Sequence, residues 1–133
     1  MNMEDSILVE ILKEMQKKYM FITEIERITR EMGDALSRND RELVQMLLGM
    51  RQDEMNKADV CTRNVECLVS ALSPDEGSQI REWLDGREGG EPGSPTAELL
   101  SEKVKSIQFV LKRTIEVDRF ISMRLSGKDS YYQ

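Results

Sequence analysis

Apolar side chains recur at steps of three and four along three long segments, residues 4–38, 40–72 and 96–125. That spacing lays them in one stripe on a helix, and each stripe has to be buried against another. At 1.5 Å per residue each segment is a rod of roughly 40–50 Å. The expected architecture is all-α: an antiparallel helical hairpin, a short capped helix and a third long helix, forming one elongated bundle over residues 1–133. Packed rods present long faces and grooves rather than a deep cleft. Such a surface suits binding another helix better than transforming a small molecule.

The first segment is expected to bury Leu8, Ile11, Leu12, Met15, Tyr19, Ile22, Ile25, Ile28, Met32 and Leu36, with Asp5 or Ser6 capping its start. It ends near Ser37-Arg38-Asn39-Asp40, where Asn39 and Glu42 fit a capping box that opens the second segment. A connection this short makes the two helices antiparallel neighbours. The second stripe reads Leu43, Leu47, Met50, Ala58, Cys61, Val65, Leu68 and Leu72. It thins across Arg51-Gln52-Asp53-Glu54, which either faces solvent, the simpler reading, or meets a polar partner.

Ser73-Pro74-Asp75-Glu76 is a sharp helix start: Ser73 as N-cap, Pro74 in the first turn, Glu76 closing the box. A short helix follows, with Ile80, Trp83 and Leu84 on one side and Trp83 expected to plug one end of the bundle. Residues 86–95 concentrate Gly and Pro and read as a flexible loop returning the chain along the bundle. The tail, residues 127–133, is too short and polar to pack by itself.

The last helix carries a stripe of Leu100, Val104, Ile107, Leu111, Ile115, Ile121 and Leu125, interrupted by Asp118. Phe109, Val110, Val117, Phe120 and Met123 fall off that stripe, more apolar surface than one helix of a small bundle buries. They are the candidate partner-binding residues, to which Tyr131 and Tyr132 in the tail add two large side chains with polar tips. A wide core face and a homodimer interface account for the same residues. Among the nine methionines, Met15, Met32 and Met50 sit on seams, whereas Met20, Met46, Met55 and Met123 suit an adaptable surface.

Composition removes several other functions. The chain has no histidine, which excludes His-based triads and His metal sites. The Gly-rich stretch lacks the Lys-Ser/Thr of a phosphate loop. Nothing implies a catalytic residue, a cofactor or a metal, and the expectation is a non-enzymatic protein. Net charge is −6, with the middle third most acidic and no basic patch interleaved with aromatics, so nucleic acid is not an expected partner. The acidic start is unlike a signal peptide and no apolar run approaches the ~20 residues of a membrane span, which points to the cytoplasm. Cys61 and Cys67, six apart on one helix, are badly placed to bond each other and are expected to be reduced.

The hairpin, the capped short helix and the last helix together resemble the flagellar FlgN-type export chaperone family. The segments that carry the resemblance are Asp34-Ala35-Leu36-Ser37-Arg38-Asn39-Asp40-Arg41-Glu42-Leu43, the polar Gln52-Asp53-Glu54, and Ile115 to Leu125 of the last helix. Asp118 stands near a position where members commonly have Asn. The resemblance implies a cytosolic chaperone that holds the amphipathic C-terminal helices of flagellar hook-associated proteins before secretion and delivers them to the export apparatus. The alternative reading is a self-associating structural or regulatory bundle.

Overall fold

The computed structural model describes residues 3–85 and 95–126. It contains four helices: α1 (Met3–Ser37), α2 (Arg41–Ser70), α3 (Pro74–Leu84) and α4 (Pro95–Ser126). The all-α bundle is as expected. Helix α1 already includes Met3, so Asp5 and Ser6 lie inside its first turns rather than at the expected cap position. Residues 86–94 of the expected loop and the whole tail, including Tyr131 and Tyr132, lie outside the described residues.

The α1–α2 turn differs from the expected capping box. Asn39 takes a left-handed conformation, φ 60°, the conformation Asn tolerates better than most side chains. It ends α1: Asp40 N donates to Ala35 O at 2.9 Å and Asn39 N to Leu36 O at 3.0 Å, the paired bonds of a Schellman turn. The N-cap of α2 is Asp40, whose Oδ1 accepts from Leu43 N at 3.1 Å. The sequence signal was one residue out because both Asn and Asp cap helices, and only the left-handed turn separates their roles. At α3 the expectation holds: Ser73 Oγ accepts from Glu76 N, and Pro74 occupies the first turn.

Helix α1 is the spine of the bundle, packed along α2 on one side and α4 on another. Contacts along α1 set the directions. Glu14 meets Asn64 and Thr29 meets Arg51, so α2 runs antiparallel. Tyr19 lies against Lys103, Glu26 against Arg113 and Gly33 against Ile121, so α4 runs parallel to α1. The expected return along the bundle by residues 86–95 is therefore not needed. Helix α2 already brings the chain back, and Val69, Ile80 and Ala97 join Leu8 and Ile11 in one cluster at that end.

The core has two apolar parts. The larger runs from Leu8 to Ile25 of α1 with Ala58, Val65 and Val69 of α2, Ile80 of α3, and α4 from Ala97 to Val110. The smaller, Ile28, Met32, Ala35, Val44 and Leu47, closes the hairpin turn. On α2 Leu47, Ala58, Cys61 and Val65 are buried as expected, joined by Val44 and Val69, while Leu43 and Leu68, and Leu72 just beyond the helix, pack at the margin. Met50, expected on the seam, is exposed, and Met55 packs against the core instead of lying free. Trp83 is partly buried against the larger cluster, in keeping with a core role.

Candidate partner-binding face

Helix α4 is held to the bundle by its core stripe and by two polar anchors. Arg113 forms two hydrogen bonds to Glu26, a side chain only 11% exposed. The Arg113 guanidinium holds the Glu26 carboxyl below its ordinary pKa, against the opposing effect of burial. Farther along, Arg51 Nη1 donates to Asp118 Oδ1 at 3.0 Å and to Thr29 Oγ1 at 3.3 Å. Arg51 is largely covered. At Arg51 the gap in the α2 stripe therefore meets a polar partner, which Asp118 interrupts the α4 stripe to supply, while Gln52 and Asp53 face solvent as the simpler reading expects. Thr29 completes its bonding by donating to Ile25 O at 2.7 Å. Near the far end, a Cβ on Gly33 would stand 3.2 Å from Ile121 Cδ1, so glycine permits close approach of α4.

These anchors fix which side of α4 looks outward. The buried residues are Ala97, Leu100, Val104, Ile107, Val110, Thr114 and Ile121. Val110 is 4% exposed and belongs to the core, which corrects its assignment to the partner-binding set. Ile115, assigned to the core stripe, is 55% exposed. The two errors have one cause. Thr114 is polar and so counts toward no apolar stripe, yet its hydroxyl donates to Val110 O at 2.7 Å and so buries without an unmet bond. Once Thr114 is inward, the stripe runs 107, 110, 114 rather than 107, 111, 115. Val117 is half-buried, at the edge of this stripe.

Three of the candidate residues share the outer side. Phe109 is 64% exposed, Phe120 63% and Met123 68%. Eleven residues, about three turns, separate the two rings, so they stand in one line along the helix. Arg113 lies between them with its guanidinium 5.2 Å from the centre of the Phe109 ring. Since Arg113 is also tied to Glu26, it braces Phe109 from one side. Further exposed apolar side chains lie elsewhere: Met20 on α1, Met46, Met50 and Val60 on α2, and Leu99 and Ile115 on α4. Met46 and Met50, four apart near the hairpin turn, are a feature the sequence reading divided between core and surface.

Among the described residues, no group of three or more His, Cys, Asp or Glu is placed to hold a metal ion. Nor is any of their helices long and apolar enough to cross a membrane. No family model matches the sequence, and comparisons with curated proteins and with solved structures likewise find no match.

Proposed function

We propose that this protein is a non-enzymatic helix-binding bundle that acts as an export chaperone, covering the amphipathic C-terminal helices of flagellar hook-associated proteins. The observation that carries helix binding is the line of Phe109, Phe120 and Met123 on the outer side of α4, opposite the stripe that α4 buries. The flagellar cargo rests on the sequence resemblance alone. An amphipathic helix without its assembly partners has one apolar face to cover, and a line of rings on a rigid rod is a surface that fits it.

The magnitude suits a chaperone that must let go. Burying the exposed parts of two Phe and one Met stabilises the contact by on the order of 3–6 kcal/mol before the costs of association. That supports reversible holding rather than permanent assembly. The test is calorimetric titration with a peptide spanning a hook-associated protein's C-terminal helix. Wild-type protein binds it, and Phe109→Asp/Phe120→Asp loses binding with its helical circular dichroism intact. Equal affinity of the double variant, or no binding by wild type, refutes the proposal.

A further inference from the structure

The apolar line on α4 belongs to a ridge whose steps are all three or four residues: Glu98, Glu102, Lys105, Phe109, Lys112 with Arg113, Glu116, Phe120 and Met123. Every one of these side chains is exposed. The ridge changes sign along its length. Two carboxylates occupy the first turns of α4, where the helix dipole favours them. Lys105, Lys112 and Arg113 then surround Phe109, and Arg119 adjoins Phe120, with Glu116 between the two rings. In a protein of net charge −6, the apolar line is thus bordered mainly by cations. Arg113 is already paired with Glu26. The outward positive charge around the rings therefore comes from Lys105, Lys112 and Arg119.

From this placement we propose that the α4 ridge selects an amphipathic helix whose flanks are acidic, an inference that rests on the helix-binding function proposed above. The rings supply contact area, and the three cations choose among apolar helices by the charge beside the stripe. A second copy of this chain is a poorer occupant. Antiparallel pairing of two α4 ridges that sets Phe109 against Phe120 sets Arg113 against Glu116, but brings no carboxylate opposite Lys105, Lys112 or Arg119. A helix with acidic flanks meets all three.

Two synthetic amphipathic peptides of about 18 residues, five turns, test this. They share one leucine stripe and carry either Glu or Lys on both flanks. Fluorescence anisotropy at low salt should show the Glu peptide binding about tenfold tighter, as a few exposed ion pairs provide. The preference should fade as salt is raised. Lys105→Glu/Lys112→Glu/Arg119→Glu, all substitutions at exposed positions, should reverse it. Equal binding of the two peptides, or an unreversed preference, overturns the charge inference and leaves helix binding standing. If neither these peptides nor the hook-associated peptide binds, helix binding itself fails. A wild-type dimer in sedimentation that Phe120→Asp dissolves would assign the ridge to a second copy and overturn the inference.

Discussion

Arg113 of α4 grips Glu26 of α1 through Nε to Oε2 at 2.5 Å and Nη2 to Oε1 at 2.8 Å. The same guanidinium lies over the Phe109 ring. One residue therefore joins the anchor that orients α4 to the face that α4 displays. Its partner carboxylate is mostly covered, so breaking the pair leaves a poorly solvated charge.

The pair makes stability depend on acid. Glu26 has a lowered pKa in the folded protein, first through its hydrogen bonds from Arg113 and then through the nearby positive charge. A lowered folded value contributes stability above the unfolded carboxylate pKa, and this is lost as pH falls through the folded value. Glu26→Gln should therefore lower the melting temperature at neutral pH and make its decline below the ordinary carboxylate range shallower. Some decline remains, because Glu24 is also lowered, by its hydrogen bond from Arg27. Thermal melts across that range check this; an unchanged acid slope contradicts the anchor.

Two isoleucines on α4 separate its inner and outer sides. Ile107 is buried and Ile115 exposed. Ile107→Ala should cost about 2–5 kcal/mol in urea unfolding, whereas Ile115→Ala should stay within about 0.5 kcal/mol of wild type. Similar costs at both positions would contradict the register of α4.

The hairpin turn assigns opposite requirements to neighbouring residues. Asp40→Ala removes the α2 cap and should cost about 1 kcal/mol. Asn39→Gly should be neutral or slightly stabilising, because glycine takes the left-handed conformation freely. Denaturant midpoints of the two variants check the turn, and a large loss from Asn39→Gly would contradict it.

The cysteines differ in reach. Cys67 is exposed and Cys61 is buried, with burial and the neighbouring Glu14 pushing its thiol pKa up. A thiol reagent should modify one cysteine per native molecule quickly and the second only on unfolding. Melting should not respond to reductant. Two fast thiols would contradict the packing of α2 on α1.

How far the sequence could be read follows from these residues. The stripes of α1 and the Ser73-Pro74 start of α3 were legible because helical spacing and cap chemistry are local. Two features were not, Val110 facing inward in place of Ile115, and Arg51 meeting Asp118. Both depend on polar groups, Thr114 and the Arg51–Asp118–Thr29 set, that satisfy their bonds only across packed helices or back onto their own backbone. Apolar periodicity treats such residues as surface. Of the candidate face, Phe109, Phe120 and Met123 were found because they fall outside any stripe the core can use.

The most direct measurement of the central claim is an amide NMR titration of the isotope-labelled protein with a hook-associated protein's C-terminal helix. Binding on the α4 ridge predicts saturable shifts centred on Phe109, Arg113, Phe120 and Met123, with little change at Met46 and Met50 of α2. Shifts centred on α2, or a spectrum unchanged by excess peptide, would contradict it.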